Sequence, residues 1–199
     1  TKFRTLMGSI QDAFGVQMKR PEADFAAFSP SKYERDEVDT SQNQQAMLGV
    51  VAQLRVLLDE DEELKKSIEL KAEDQGVIMR VPNIILFGRA DATLTPMADK
   101  VLENVISVLK DHNFNLVVRG HTDDTPTATD NFPSNWELTA QRAATSLRRI
   151  LEKSEFSANR LKAVGYADSQ PLFPNTTEAN REANRRMEFF FHRPAVQSW

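Results

Sequence analysis

The longest run of helically spaced apolar residues lies between Ser41 and Asp74. Apolar side chains recur there with the three- and four-residue spacing of a coiled-coil seam, which Asp61 interrupts once. These positions are Met47, Val50, Leu54, Leu57, Leu64 and Ile68. The spacing predicts one long helix over residues 41–75. A seam this narrow needs one partner surface, which is either the rest of the same domain or a second copy of the chain.

Two further helices have clear start signals. Thr95 followed by Pro96 is typical of a helix N-cap and its first position, and the apolar residues after them predict a helix to about Asp111. The S-x-x-E capping box that begins at Ser134 predicts a helix to about Lys153. The expected core face of this second helix contains Trp136, Ala140, Ala143, Ala144, Leu147, Ile150 and Leu151.

Five short stretches are rich in β-branched and aromatic residues and predict strands. They are GVIMRV at 76–81, NIILF at 83–87, NLVVRG at 115–120, LKAVGYA at 161–167 and RRMEFFF at 185–191. The first two flank Pro82 and are expected to form a strand pair or one long bent strand. A short polar helix, EANREAN, precedes the last strand. This order predicts an α/β fold, a β-α-β-α-β-α-β sandwich with helices on one face of a mixed sheet, preceded by the long N-terminal helix.

Charge and composition exclude several classes of function. The net charge of −4, with acidic and basic residues interleaved, provides no positive surface for nucleic acid. The absence of cysteine excludes disulfides, thiolate chemistry and zinc held by sulfur. The longest apolar runs, such as IILF, are far shorter than the roughly 20 residues that cross a bilayer. The sequence contains no glycine-rich phosphate loop and no G-x-S-x-G nucleophile motif, and no cofactor is predicted.

The segment GHTDDTP, residues 120–126, places polar side chains directly after a predicted strand. Four side chains of the following helix share one face at offsets of 0, 3, 4 and 7, namely Asn135, Leu138, Thr139 and Arg142. Because ligands of α/β folds bind where strands end, Asp123 and Arg142 are expected to converge. Together they suit a zwitterionic guest, whose carboxylate would bind Arg142 and whose ammonium would donate to Asp123. The alternative is that these two side chains pair with each other.

The same turn resembles a fragment of a metal site, because His121, Asp123 and Asp124 lie close together in the sequence. A catalytic metal needs about three protein ligands, and neither His112 nor His192 has a carboxylate pattern around it. No metal site is predicted, and His121 is expected to pack against the sheet or to orient the turn. A metal-dependent envelope hydrolase built on the three turn residues is the alternative activity.

A second polar cluster lies at residues 180–189, where three arginines alternate with glutamates. It comprises Arg181, Arg185 and Arg186 with Glu178, Glu182 and Glu188. Most of these side chains are expected to form ion pairs that hold the last strand to the neighbouring helix. Asn184 and Arg181 are the candidates in this cluster for facing the ligand turn.

Three ordered motifs, GHTDD, NWELTAQRA and GYADSQPLFPNTTEANREANRRMEF, resemble the OmpA-like peptidoglycan-binding domain over about residues 77–191. Within that family the doubled aspartate with Thr-Pro, and the tryptophan after asparagine, are most similar to flagellar stator proteins of the MotB and PomB type. The resemblance implies a non-enzymatic site for the diaminopimelate-containing peptide of peptidoglycan, with Asp123 and Arg142 as its principal pair. The predicted peptidoglycan-binding residues are Asp123, Arg142, Thr122, Asn135, Leu138, Thr139, Arg181, Asn184 and Arg185.

The resemblance also implies a domain organisation. Residues 1–40 are expected to be a linker from a membrane segment, 41–75 a linking helix, 76–193 the binding domain and 194–199 a tail. Stator proteins carry the ion-conducting aspartate in a transmembrane helix ahead of this domain, and this chain has no such segment. It is therefore expected to be the periplasmic part of a single-pass inner-membrane protein.

The function implied by the resemblance is to anchor the motor stator to the cell wall, so that ion-driven torque is transmitted. The implied partners are peptidoglycan, a second copy in a homodimer, a MotA/PomA-type membrane subunit and flagellar basal-body ring proteins. An OmpA-like or Pal-like envelope tether unrelated to flagella is the alternative.

Overall fold

Residues 32–194 are described by a computed structural model of the chain, those up to residue 43 by their backbone alone. Residues 1–31 of the predicted linker and residues 195–199 of the predicted tail lie outside the described residues. The chain divides into two units, Thr1–Val38 and Asp39–Trp199, and the core and the site described below belong to the second.

The helices are α1 (Lys32–Asp59), α2 (Glu62–Ser67), α3 (Asn83–Leu86), α4 (Pro96–Asp111), α5 (Asn135–Glu152) and α6 (Glu178–Asn184). The strands are β1 (Glu69–Glu73), β2 (Gly76–Pro82), β3 (Asn115–Gly120), β4 (Leu161–Gly165) and β5 (Arg186–His192), and a 3-10 turn spans Ala158–Arg160. The strands form one sheet in the order β1-β2-β5-β3-β4. All neighbouring strands are antiparallel except β3 and β4, which are parallel. The α/β class and the mixed sheet are therefore confirmed.

The hydrophobic core lies against one face of the sheet, because alternate residues of the central strands point to that face. The core-facing residues of β2 and β5 are fully buried, namely Val77, Met79, Val81, Met187, Phe189 and Phe191. Helices α1, α4 and α5 add side chains to the same cluster, including Leu54, Val101, Val105, Ala143 and Ile150. No helix among residues 32–194 is both long and apolar enough to cross a membrane.

Three helices begin where the sequence predicts them. Thr95 Oγ1 accepts a hydrogen bond from the Ala98 N–H at 3.1 Å, and α4 begins at the next residue, Pro96. Ser134 Oγ accepts one from the Trp136 N–H at 3.1 Å at the start of α5. The short polar helix EANREAN is α6.

The single helix predicted over residues 41–75 is wrong beyond Asp59. Helix α1 begins earlier, at Lys32, and ends at Asp59. Asp61, the interruption in the predicted seam, is the N-cap of α2, since its carboxylate accepts hydrogen bonds from two N–H groups of that helix. The residues that follow α2 form β1, the edge strand that pairs with β2.

Helix α1 docks on its own domain, which was one of the two alternatives for its apolar seam. Val50 and Leu54 are fully buried in the core. Gln53 of α1 hydrogen-bonds to α4 through Ser107 Oγ at 3.2 Å. Leu48 is 67% exposed and lies on another side of the helix.

Replacing Leu54 with alanine is expected to lower the free energy of unfolding by about 2–3 kcal/mol. This is the lower part of the range for buried leucines, because a helix at the edge of the core can move partly into the space that is left. Leu48→Ala is the matched control, the same substitution at an exposed position of the same helix, and should change stability by less than about 0.5 kcal/mol. Urea unfolding measures both variants. Equal effects would contradict the docking of α1.

The strand predicted for NIILF is wrong, because Asn83–Leu86 form a single helical turn, α3. Pro82 ends β2, and the Phe87 N–H then donates to the Asn83 carbonyl at 2.8 Å. The turn leaves Ile84 73% exposed. Ile84, which the predicted strand would have placed in the sheet, is therefore an exposed apolar residue.

Helix α5 faces the sheet with a different side from the predicted one. Trp136 is 53% exposed, and Ala140 and Ala144 are also exposed, although all three are predicted core residues. The buried face contains Asn135, Leu138, Thr139, Arg142, Ala143, Thr145, Ser146 and Ile150. The polar face that was expected to bind a ligand beside the core is therefore itself buried.

Two glycines allow α5 to lie directly on the parallel strands. A Cβ atom at Gly120 would lie 2.6 Å from the Thr139 carbonyl oxygen, and one at Gly165 would lie 2.5 Å from the Ala140 nitrogen. Both distances are shorter than a van der Waals contact, so any larger residue would push the helix off β3 and β4. The start of α5 is thereby held beside the turn that follows β3.

Candidate ligand-binding groove

A groove of about 1030 Å³ lies at the end of β3. Its walls come from the turn after β3, from α3 with residues 88–90, from segment 125–129, from the first half of α5 and from α6. Six of the nine predicted site residues line it, namely Thr122, Asp123, Asn135, Leu138, Arg142 and Arg185. The fold therefore brings most of the predicted site together.

Main-chain and amide hydrogen bonds hold the turn of residues 121–125. The His121 N–H donates to the Arg186 carbonyl at 2.9 Å, and the Thr122 N–H donates to the Ala167 carbonyl at 2.8 Å. At the other end of the turn, Asn135 Nδ2 donates to the Thr125 carbonyl at 3.0 Å. The turn is thus tied to β5, to the segment after β4 and to α5.

Asp123 pairs with Arg185 of the loop before β5, so the alternative of a direct Asp123–Arg142 pair is wrong. Asp123 is only 4% exposed. Its Oδ2 accepts from Arg185 Nη1, and its Oδ1 accepts from the Thr125 N–H at 2.9 Å. Arg185 also donates from Nη2 to Glu178 Oε1 at 2.7 Å, which links the turn to α6.

Arg142 holds the loop that follows α3. Its Nε donates to the Asp91 carbonyl at 2.7 Å and its Nη2 to the Gly88 carbonyl at 3.0 Å. The guanidinium carbon lies 5.3 Å from the centroid of the Phe87 ring. Burial lowers the pKa of Arg142 to about 10, against the opposing charge of Asp91, so the side chain stays cationic at neutral pH. Arg142 therefore shapes one groove wall as well as lining the groove.

Three predicted site residues, Thr139, Arg181 and Asn184, do not line the groove. Thr139 is fully buried between α5 and the sheet. Its Oγ1 donates to the Asn135 carbonyl at 2.8 Å and accepts from the Ala167 N–H at 3.2 Å. These two hydrogen bonds position Asn135 and Ala167, which in turn bind the turn of residues 121–125.

The other two residues stabilise segments next to the groove. Arg181 Nε lies 3.4 Å from Asp124 Oδ1, which joins α6 to the turn. Asn184 is fully buried, and its Oδ1 accepts from the Leu172 N–H at 2.8 Å while its Nδ2 donates to the Phe173 carbonyl at 2.8 Å. The predicted ion pairs form with other partners: Arg181 and Arg185 join α6 and the loop before β5 to the turn, while Arg186 and Glu188 of the last strand pair with each other.

His121 packs against the sheet, which is one of its two predicted roles. It is 1% exposed, and its ring stacks on Tyr166 with centroids 5.2 Å apart. Its Nε2 lies 3.7 Å from Glu188 Oε2. Burial lowers the pKa of His121, against the opposing effect of Glu188. Among the described residues, no three His, Asp or Glu side chains come together as a metal site would require.

The sequence patterns missed Asn83, Ile84 and residues 88–90 as groove residues. Asn83 and Ile84 were missed because NIILF was predicted as a strand, and that prediction did not place them near the turn after β3. The available signal was Pro82, since proline interrupts strand and helix patterns and lacks the N–H that a strand ladder needs. Residues 88–90 contribute as a loop whose position depends on Arg142, more than 50 residues away in the sequence.

Comparison with known proteins identifies the family to which the chain belongs. Residues 86–185 match the model of the OmpA family. YtxE of Bacillus subtilis is 29% identical over 99% of this chain and 78% of its own length, and Motility protein B of the same organism is 26% identical over 94% of this chain and 77% of its own length. The solved structure of a MotB-like protein from Desulfovibrio vulgaris has a TM-score of 0.71 and 29% identity, covering 77% of this chain and 98% of that one. The chain therefore belongs to the OmpA family, as a non-enzymatic OmpA-like domain of the MotB type.

Proposed function

We propose that the groove binds the peptide stem of peptidoglycan and that the chain anchors a flagellar stator to the cell wall. The observation that carries this function is the presence of two buried, oppositely charged side chains, Asp123 and Arg142, in one groove. Diaminopimelate in a stem peptide has a free end with an ammonium and a carboxylate, and these two charges suit it.

The remaining charges of the groove support a zwitterionic ligand. Glu178 and Glu182 lie along the α6 wall with Asp123 nearby, and Arg89 lies on the loop that Arg142 holds. Two nitrogens of Arg142, Nε and Nη2, already bind loop carbonyls. A ligand carboxylate would therefore meet the third nitrogen, Nη1, together with the backbone of residues 88–90.

Asp123→Asn is expected to lower the affinity for peptidoglycan at least about tenfold, because the substitution removes a buried charge that holds Arg185 and faces the ligand. Co-sedimentation of the purified chain with isolated peptidoglycan measures this. Asp124→Asn is the matched control, since Asp124 is exposed, lies outside the groove and pairs with Arg181. It should sediment like the wild type. A wild-type chain that does not sediment would exclude the function, and unchanged binding by Asp123→Asn would exclude the site.

The wider assembly is proposed from the relatives named Motility protein B. The domain would lie on the wall side of the cytoplasmic membrane, in the periplasm, as part of a homodimer joined to a MotA/PomA-type subunit. Several domains that each bind peptidoglycan weakly would together resist torque better than one. Once the first groove is bound, binding at the second becomes intramolecular. An envelope tether unrelated to flagella is not favoured, since the Motility protein B relative aligns with 94% of the chain.

A further inference from the structure

Strand β4 is an open edge of the sheet. It pairs with β3 on one side, and no other segment among residues 32–194 pairs with its outer side. Alternate residues of a strand direct their N–H and C=O groups to opposite sides, and the Tyr166 N–H, one residue after β4, donates to the Gly120 carbonyl of β3 at 2.9 Å. Ala163 and Gly165 therefore direct their main-chain groups to the open side, where Ala163 is exposed.

The two edges of the sheet differ in charge. Edge strand β1 is ELKAE, in which Lys71 pairs with Glu73 at 3.0 Å and Glu69 pairs with Arg80 of β2 at 3.1 Å. Charged side chains are one means by which an edge strand avoids pairing with another chain. Strand β4 is LKAVG, whose one charged residue is Lys162. β4 is therefore the edge better suited to accept a further strand.

One side of α5 overhangs this open edge. A Cβ atom at Gly120 of β3 would meet the Thr139 carbonyl oxygen at 2.6 Å, whereas one at Gly165 of β4 would meet the Ala140 nitrogen at 2.5 Å. Thr139 therefore lies over β3, and Ala140 lies over β4. The residues that share a side of the helix with Ala140 extend beyond the edge of the sheet.

That side of α5 is apolar. It carries an α5 stripe at spacings of four, four and three residues, made of Trp136, Ala140, Ala144 and Leu147. Trp136 is 53% exposed, and both alanines are exposed. The alanines leave room for large apolar side chains between Trp136 and Leu147. No residue of the stripe lines the groove.

The opposite face of the sheet is positively charged beside β4. Lys162 is exposed there, and Arg119 of β3 lies across from Val164 on the same face. The ion pair of Arg119 with Glu188 is long, at 3.8 Å. Burial lowers the pKa of His192, and the charges of Arg119 and Lys162 lower it further, so both cations act on one region. A strand added beside β4 would place every second side chain next to these two cations.

We infer that β4 accepts an extended segment of a partner protein as a further strand, with apolar side chains against the α5 stripe and acidic side chains against Lys162 and Arg119. Hydrogen bonds to the main chain of Ala163 and Gly165 supply the affinity, and the alternation of apolar and acidic residues supplies the selectivity. A second β4 strand is the poorer occupant, because it brings another lysine instead of a carboxylate to this face. The surface is separate from the groove, so the inference does not depend on the proposed function.

Three synthetic peptides of seven residues test the inference by calorimetric titration of the purified chain. In the first, phenylalanine and valine alternate with glutamate; the second has lysine in place of glutamate; the third is the first with every main-chain nitrogen methylated. The first is expected to bind at least about tenfold more tightly than the other two, because lysine meets like charge and methylation removes the N–H donors. At saturation it should slow amide hydrogen exchange at Ala163 at least about tenfold. Absent binding, equal binding of all three peptides or unchanged exchange at Ala163 would overturn the inference.

Two variants locate the peptide. Lys162→Glu should weaken the glutamate peptide at least about fivefold and strengthen the lysine peptide, since the cross-strand charge is reversed. Lys71→Glu is the matched control, the same change at an exposed lysine of the other edge strand, and should keep the wild-type preference. Ala163→Pro removes the outward N–H without touching the hydrogen bonds to β3, and should abolish binding of the glutamate peptide. An unchanged preference in Lys162→Glu would overturn the inference even if Ala163→Pro does not fold.

Sedimentation velocity tests the other occupant. The inference expects the glutamate peptide to bind without dissociating any oligomer of the wild-type chain. Self-association that the glutamate peptide competes away and that Ala163→Pro abolishes would instead place a second copy at this edge, and would overturn the assignment of an acidic partner.

Discussion

Replacing Arg142 with alanine is expected to abolish detectable peptidoglycan binding and to lower the free energy of unfolding by about 3–5 kcal/mol. The side chain is 5% exposed and donates to the Gly88 and Asp91 carbonyls. The Asp91 carbonyl loses its Arg142 donor, at a cost of about 1–3 kcal/mol, and the Gly88 carbonyl keeps only the Asp91 N–H at 3.3 Å. Without these bonds the loop of residues 88–91 loses its anchor, and the groove loses both a wall and a cation.

Arg142→Lys separates the charge from the hydrogen bonds. Lysine keeps the positive charge, but its single ammonium does not match the fork that joins two carbonyls. The variant is therefore expected to lose stability and binding to an intermediate extent. Urea unfolding and co-sedimentation with peptidoglycan measure the two effects. Wild-type binding by Arg142→Ala would show that neither the loop nor the cation contributes to the site.

Glu188→Gln is expected to destabilise the protein by about 3–5 kcal/mol at neutral pH, since it removes the negative partner of buried cations. Glu188 is 4% exposed, and its Oε1 accepts from Arg186 Nε at 2.9 Å and from Arg80 Nε at 3.2 Å. Glu152→Gln is the control, because that glutamate is exposed and forms long surface pairs, 3.9 Å from both Arg148 and Arg149. It should leave stability nearly unchanged.

The effect of Glu188 should depend on pH in a defined direction. Burial by itself raises the pKa of Glu188, but His121 and Arg186 outweigh it and hold the pKa well below its usual value of 4.5. A carboxylate with a lowered folded-state pKa stabilises the fold above its unfolded pKa, and this stabilisation is lost as the pH falls toward the folded-state value. The stability difference between wild type and Glu188→Gln should therefore be constant near neutral pH and shrink below about pH 4.5. A difference that does not change with pH would contradict the charge pairing.

The helix starts and the order of the motifs were predictable because they depend on neighbouring residues. Thr95 and Ser134 cap the helices that begin one residue later, and the hydrogen bonds involved span two or three positions. The grouping of Asp123 with Arg142 in one groove was also predictable, from the position of a turn at a strand end. Their actual hydrogen-bond partners were not, because Gly88, Asp91 and Arg185 approach from distant parts of the sequence.

The buried face of α5 could not be predicted from polarity. Arg142 and Thr139 look like solvent-exposed residues in a periodicity argument, yet both are buried because main-chain groups of other segments satisfy them. Trp136 looks like a core residue and is exposed. The helix lies on this face because Gly120 of β3 and Gly165 of β4 have no side chain in the way. The pattern of residues within the helix contains no information about these two strand positions.

The predictions for the residues of β1 and of α3 were wrong for a related reason. The sequence ELKAE of β1 has charge spacing that suits a helix as well as an edge strand, and pairing with β2 decides between them. In α3, apolar residues with high strand propensity form a helical turn because Pro82 ends the strand and Asn83 is held by the His121 carbonyl. Both outcomes depend on long-range contacts.

The central position of β5 has a consequence for how the chain matures. As the last of the strands among residues 32–194, it is inserted between β2 and β3, which do not pair with each other. During synthesis the β1–β2 hairpin and the β3–α5–β4 unit emerge first, but each presents an unpaired strand edge until β5 arrives. The sheet, and the groove wall that Arg185 completes just ahead of β5, can therefore form only after the ribosome has released nearly the whole domain.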